Sequence, residues 1–371
     1  WILKALLSEK STSTSSMSLY RNLMWFLKGI KEYTRDGYQL ASRGFVVEDL
    51  VVSAVGRSFM ITGANSGIGK ETAMAIAKKG GTIHMVCRNK DKAEVARAEI
   101  IRESGNPEVH VHILDMSESS QVWEFAENFK RQYPSLNVLI NNAGCIVNKR
   151  EMNSNGLEKN FATNTLGKNI LLSLVLGVYI LTQSLIPLLL KSRGPRVITV
   201  SSGGMLVQRL RPHNLQSLGG HFFKGARVYA QNKRQQVVLT EHWAKTNLVI
   251  HFSVMHPGWA DTPAVSGSMP QFRQMMGERL RTAVQGADTV VWLALSGAAA
   301  ATPSGSFYQD RKVVPTHLPM AWTYSSTKDV QKFLAQLDTL AQKTKPQPKP
   351  ADPQPGSPTE PRRALEAQQL V

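Results

Sequence analysis

Tyr229 and Lys233 stand four residues apart in "YAQNK", a spacing that puts both side chains on one face of a helix. An ammonium about 5 Å from a phenol, at an effective dielectric near 20, favours the phenolate by on the order of 3 kcal/mol. That lowers a phenol pKa of ~10 by roughly two units. A tyrosine tuned in this way can exchange a proton with a carbonyl or an alcohol near neutral pH. The spacing alone is common in helices, so the chemistry depends on what else the chain brings to the same place.

Gly63, Gly67 and Gly69 in "TGANSGIG" supply one such partner. A glycine-rich turn between a strand and a helix lets backbone N–H groups approach a pyrophosphate, and the helix N-terminus favours its charge. Asn65, Ser66 and Ile68 complete that loop. Arg88 follows the next strand-like run, where an Asp or Glu would suit a ribose 2′-hydroxyl and an Arg suits a 2′-phosphate. NADP(H) is therefore the expected cofactor. Asp115, after the third run, is placed to meet the adenine, with capping of the following helix as its competing role.

These groups need a scaffold. From Ser58 to about Phe307, apolar runs alternate with helical periodicities, the pattern of βαβ units around a parallel sheet. The expected strands are Phe59–Thr62, Thr82–Cys87, Val109–Leu114, Val138–Asn141, Val197–Ser201, Val249–Met255 and Ser306–Tyr308. Helical stretches fall at Glu71–Lys79, Ala93–Glu103, Val122–Arg131, Tyr229–Lys245 and Ala287–Leu295. "NNAG" closes the fourth strand, a serine pair closes the fifth, and "HPGWADT" comes after the sixth.

This ordered set resembles the short-chain dehydrogenase/reductase family from about Gly56 to Val314, and "VCRN", "LINNAG" and "GLEKNFATNTLG" look most like its retinol-dehydrogenase-like branch. The resemblance implies a single doubly wound parallel-sheet (Rossmann) domain. It implies Tyr229 as acid/base, Lys233 as its partner and holder of the nicotinamide ribose, and Ser202 as donor to the substrate oxygen, with Ser201 the fallback. Asn164, in "FATNTLG", matches the asparagine that anchors a water in the proton relay. Asn142, Ala143 and Gly144 would line the cofactor, and Pro257, Gly258 and Thr262 would cover the nicotinamide. Cys145 reads as a small buried residue and His256 as structural. The implied activity interconverts a carbonyl and an alcohol on an apolar small molecule such as a retinoid, steroid or lipid aldehyde.

Composition narrows the field further. Two cysteines and nine histidines in 371 residues, without zinc-type spacings, argue against a disulfide framework and a metal site. No G-x-S-x-G elbow points to a hydrolase. A net charge of +17 favours anionic partners but, without a recognisable module, does not establish nucleic-acid binding. The chain divides into an upstream extension (1–16), an amphipathic N-terminal extension (17–55), the sheet domain (56–342) and a proline-rich tail (343–371) expected to be disordered. In the extension, Leu19, Leu23, Phe26, Leu27 and Ile30 form one stripe. It suits packing on the protein or, over 17–35, peripheral contact with an anionic membrane. A cytoplasmic or membrane-surface location is expected, and nothing reads as a secretory signal.

Residues 170 to 190 form an uncharged run long enough to span a bilayer. A span there would separate the glycine loop from Ser202, Tyr229 and Lys233, so a core helix is expected instead. Leu-Gly occurs at both Leu166-Gly167 and Leu176-Gly177, which marks 168–177 as an insertion into the family pattern. Ten extra helical residues shift the downstream part of a helix by ~15 Å and rotate it by about 80°. The segment is therefore expected to loop out or to slip the helix register and expose apolar side chains, lowering stability and displacing Asn164. A binding protein with impaired turnover is the alternative function.

Overall fold

The computed structural model describes residues 14–144, 169–212 and 225–347, with side chains from 19, 174 and 226 onward in the three stretches. In chain order the elements are α1 (Thr14–Glu32), α2 (Arg35–Ser42), β1 (Ser58–Thr62), α3 (Gly67–Ala77), β2 (Thr82–Cys87), α4 (Lys90–Ser104) and β3 (Val109–Ile113). Then come α5 (Ser119–Gln132), β4 (Val138–Asn141), α6 (Asn169–Leu189), β5 (Arg196–Val200), a 3-10 turn (Gly203–Val207), α7 (Gly225–Thr246) and β6 (His251–Met255). The last are α8 (Pro263–Ser268), α9 (Pro270–Met276), α10 (Ala283–Leu295), α11 (Gly297–Ala300), β7 (Ser306–Gln309), β8 (Lys312–Val313) and α12 (Thr327–Lys343).

The strands form one sheet in the order β3-β2-β1-β4-β5-β6-β7-β8. All neighbours are parallel except β7 and β8, which are antiparallel. Central strands such as "VLIN" and "RVITV" are buried along their whole length, as expected where helices cover both faces. Phe129, Leu181, Leu239, Trp243 and Phe333 build one face with α5, α6, α7 and α12. Ala73, Ile76, Ile100 and Val290 build the other with α3, α4 and α10. The strand order reverses between β1 and β4, which opens a crevice at the carboxyl edge of the strands. The doubly wound Rossmann sheet is thus present, and the seven expected strands lie within two residues of their expected limits.

Two elements, β8 and α12, were not expected. β8 is added by a two-residue turn at Asp310 and Arg311, both left-handed (φ 50° and 59°), the geometry that matches strand twist in tight hairpins. Helix α12, not anticipated, packs Phe333, Leu337 and Ala341 into the core, and its Ser326 cap accepts the Asp329 N–H. The expected tail from 343 lies outside the described residues from 348 onward, and 1–13 lie outside them at the other end.

Helix α1 does not present its expected stripe as one face. Trp25, Phe26, Gly29 and Ile30 turn inward, whereas Leu19, Leu23 and Leu27 are exposed at 43%, 43% and 54%. The protein-facing surface is thus rotated toward Trp25 because the partner, Trp259, is an aromatic ring that only Gly29 admits at close range.

Helix α6 runs without a break through the second half of the apolar stretch. Val175, Leu176 and Val178 are buried, and a Cβ on Gly177 would collide with the Met116 carbonyl oxygen. The backbone is therefore helical from 169 to 189 rather than looped out, and from Val175 to Leu189 most apolar side chains are buried in the larger core against α5 and α12. Lys168 lies outside the described residues. Among the described residues no helix is long and apolar enough to cross a membrane.

Candidate active site

The glycine loop is held by its neighbour strand. Gly63 takes a left-handed φ of 68° and its N–H donates to Val86 O at 2.8 Å. Asn142 Nδ2 donates to Thr62 O at 2.9 Å and Gly63 O at 3.3 Å, while the Asn142 and Ala143 N–H groups both donate to Thr62 Oγ1. A Cβ on Gly69 would collide with Gly63 O and Asn142 Nδ2. Asn142 is therefore a brace for the loop, and its amide is spent on the backbone. Ser66 is exposed and makes no side-chain cap for α3, so the first-turn N–H groups lack a side-chain acceptor. That donor set suits an anionic pyrophosphate. Asn65 and Ile68 are part-buried in the same turn, and Ile68 meets Gly286 of α10.

Arg88, just beyond β2, is exposed. Asp115 Oδ1 accepts the Ser117 N–H at 2.9 Å and the Ser117 hydroxyl at 2.7 Å, a turn that occupies one carboxylate oxygen ahead of α5; the N-cap of α5 is Glu118, so Asp115 does not take the competing capping role. The next helix starts at Ser119, ahead of the Val122 expected from periodicity.

Helix α7 brings Tyr229 and Lys233 together. Lys233 is buried; its Nζ lies 5.5 Å from the Tyr229 ring centroid, donates to Val200 O at 2.7 Å and Gln236 Oε1 at 3.0 Å. A Cβ on Gly144 would stand 3.4 Å from that ammonium. "NNAG" at the end of β4 and the lysine of α7 therefore share one corner of the crevice.

The two serines differ in what they bond. Ser201 is buried and its hydroxyl donates to Lys233 O at 2.9 Å. Ser202, half-buried, accepts the Gly204 N–H at 3.2 Å, which leaves its proton for another acceptor. A Cβ on Gly204 would lie 3.6 Å from both Ser202 Oγ and Ala230 Cβ, so the serine and the tyrosine helix face one another. Asn164 and Cys145 lie outside the described residues.

On the far side, Thr262 caps α8 by accepting the Val265 N–H, and its Cγ2 would lie 3.2 Å from a Cβ on Gly67. The loop after β6 thus touches the glycine loop. His256 is fully buried, accepts the Gly258 N–H on Nδ1 and meets Gln309 through Nε2. Burial, with the nearby Arg281 charge adding to it, pushes its pKa down to about 3. It is neutral near pH 7 and structural.

Residues not singled out from the sequence complete this side. Arg281 and Asp310 form a buried bidentate pair at 2.6 and 3.0 Å. Arg281 also donates to Glu32 O, Thr34 O and Pro257 O. A Cβ on Gly258 would run into its guanidinium, and Gly258 has a φ of 76°. Trp259 donates its backbone N–H to Tyr33 O and packs against Trp25, Tyr33 and Phe272. No local pattern marks Arg281. The aromatic density of "LYRNLMWFLKGIKEYT" is the available signal for α1.

The chain belongs to the short-chain dehydrogenase/reductase family of oxidoreductases. The family's profile, described as short chain dehydrogenase, matches residues 57–211. "Dehydrogenase/reductase SDR family member 12" of Bos taurus is 59% identical over 329 residues, covering 89% of this chain and all of that protein. "Retinol dehydrogenase 11" of Mus musculus is 32% identical over 264 residues, covering 70% of this chain and 79% of that protein. Among solved structures, a short chain dehydrogenase from Escherichia coli CFT073 complexed with NADPH superimposes with a TM-score of 0.55 at 22% identity, covering 72% of this chain and all of that one.

Proposed function

We propose that the chain is an NADP(H)-dependent oxidoreductase that interconverts a carbonyl and an alcohol on an apolar small molecule, of the retinoid, steroid or lipid-aldehyde class. What carries the proposal is the Lys233 ammonium 5.5 Å from the Tyr229 ring, beside Gly144 at the carboxyl edge of the sheet. Bound NADPH would supply the hydride. Tyr229 would donate its phenolic proton to the substrate oxygen as negative charge grows there, and take it back in the oxidative direction. Lys233 stabilises the phenolate so formed by charge and would hold the nicotinamide ribose; its bond to Val200 O fixes the ammonium in place. Ser202, whose oxygen is already engaged by Gly204, would donate its proton to the same substrate oxygen and stabilise the transition state more than the ground state. Ser66 and the α3 N-terminus would take the pyrophosphate, and Arg88 the 2′-phosphate. The relationship to retinol dehydrogenase 11 supports the apolar substrate class.

The test is NADPH oxidation with a panel of retinal, steroid ketones and lipid aldehydes, comparing wild type with Tyr229→Phe. Loss of the acid/base group should lower kcat by at least ~100-fold with NADPH affinity unchanged. Titration by tryptophan fluorescence should show NADPH bound more tightly than NADH; the reverse order would remove Arg88 from its role.

A second reading, a cofactor-binding protein with impaired turnover, has one observation in its favour. Leu174 precedes Gly177 by three residues, as Asn164 precedes Gly167, and Gly177 is the glycine seated against Met116. In that register an apolar leucine would stand where the family pattern has its asparagine. Deleting Lys168–Gly177 should then raise both the melting temperature and kcat. A lower or unchanged melting temperature would make the segment native architecture.

A further inference from the structure

We propose that Trp25 is a positioning residue that locks the Gly203–Gly204 peptide and through it aims the Ser202 hydroxyl. The inference rests on the reading above, in which Ser202 bonds the substrate oxygen.

The geometry is a relay across a single peptide plane. Trp25 Nε1–H donates to Gly203 O at 2.8 Å. The N–H of the same peptide unit, on Gly204, donates to Ser202 Oγ at 3.2 Å. Ser202 caps the 3-10 turn, and its carbonyl accepts the Met205 N–H at 3.1 Å. A peptide between two glycines has little steric resistance to turning over, and turning over would withdraw the N–H from Ser202. The indole opposes that motion by holding the carbonyl. At the Gly203 Cα the Tyr33 ring leaves no room for a side chain, since a Cβ would come within 2.9 Å of Cε2. Gly203 is thus caught between two residues of the N-terminal segment. Hydrogen bonds in series polarise one another, so the bond accepted by Ser202 Oγ also makes its O–H a better donor.

Trp25 is itself fixed from the nicotinamide side. Its ring meets Trp259 edge-on at 5.6 Å, and Phe26 and Tyr33 flank the Trp259 indole. Trp259 lies two residues beyond Pro257, in the loop that would cover the nicotinamide. Helix α1 lies outside the part of the chain matched by the family's profile, which begins at residue 57. It therefore adds a constraint on the serine from outside that segment.

The experiment is a double-mutant cycle on the full chain, scored per NADPH-binding site so that unfolded protein does not count. Trp25→Phe keeps a ring and removes the N–H. It should lower kcat about 5- to 20-fold with NADPH affinity changed by less than twofold. In a Ser202→Ala background the same change should cost less than twofold, because there is no hydroxyl left to aim; a purely structural residue would cost the same factor in both backgrounds. Gly204→Ala, at a site where the added methyl makes only ordinary contacts, should stiffen the peptide and return at least threefold of the kcat lost in Trp25→Phe. Should Trp25→Phe not yield NADPH-binding protein, Trp25→Leu takes its place with the same expectations. Equal losses in the two backgrounds, or no loss in either, overturn the inference while Tyr229-dependent turnover still stands. Wild-type turnover that Tyr229→Phe leaves intact, or none at all, overturns the underlying reading and this inference with it.

Discussion

The two sides of the crevice are built by opposite means. The cofactor side, from β1 to Gly144, is held by backbone: glycines at close approach, and one asparagine amide spent on the Thr62 and Gly63 carbonyls. The other side, comprising α1, the 3-10 turn and the loop after β6, is held by large side chains. Trp25, Tyr33 and Trp259 interlock there, and Arg281 ties two chain segments, at Glu32–Thr34 and at Pro257, to Asp310. Backbone construction is local and tolerates little change in conformation. Side-chain construction is long-range and concentrates its energy in a few residues. A lesion on the first side should therefore weaken ligand binding, and one on the second should weaken the fold.

The largest effect is expected from Arg281→Ala. It strands the Asp310 carboxylate in the interior and removes donors from Glu32, Thr34 and Pro257. Breaking a buried pair in this way costs about 3–5 kcal/mol, so thermal unfolding should shift down by roughly 10 °C. A shift below about 2 °C would deny the knot its role. On the backbone-built side, Gly69→Ala forces a methyl onto Gly63 O and should weaken NADPH binding on the order of tenfold, about 1.4 kcal/mol, by fluorescence titration. An unfolding shift as large as that of Arg281→Ala would erase the contrast between the sides.

The most gradual effect is pH dependence, and it touches both sides. On the cofactor side, His84 and His112 sit 3.1 Å apart on adjacent strands. Burial, reinforced by the neighbouring histidines, pushes their pKa values down to about 3 and about 4. His256 on the other side is pushed down to about 3. A histidine with a depressed folded pKa stays neutral while the unfolded chain takes up a proton below about pH 6.5. The stabilisation from these three groups is thus fully present above about pH 6.5 and lost progressively toward about pH 3. Urea unfolding across this range should show a declining limb, and His112→Phe should flatten it. A limb unchanged by the substitution would place the acid sensitivity elsewhere.

The same contrast explains what could be read from the sequence. β-branched runs separated by helical periods locate the sheet, because a strand buried on both faces must be apolar throughout. The glycine loop, "NNAG" and the Tyr229/Lys233 pair are legible because each works over a few residues. Arg281 and Asp310 are separated by 29 positions and carry no spacing rule, so nothing local marks them as partners. The inward face of α1 is illegible for a similar reason: periodicity finds a stripe, but the partner ring decides which residues turn in. Helix α12 has a periodic stripe at Phe333, Leu337 and Ala341, obscured by polar residues and by the proline-rich stretch beyond it. The expectation that 168–177 loops out fails over its described part because the core takes in Val175 and Leu176 on a continuous α6.

The bonds that fasten α1 span most of the polypeptide: Thr34 waits for Arg281, 247 positions on, and Tyr20 for Pro319, 299 positions on. At about 5–20 residues per second of translation, the first of these partners emerges from the ribosome roughly 12 to 50 s after Thr34. During the first part of that interval, until Gly203 and Trp259 are made, the Trp25 indole and the Tyr33 ring have no docking surface. The nascent chain would thus complete its nucleotide-facing half early and its serine-aligning half only near the end of synthesis. Protein released before Pro319 is made would lack part of that fastening even with all of the family motifs in place.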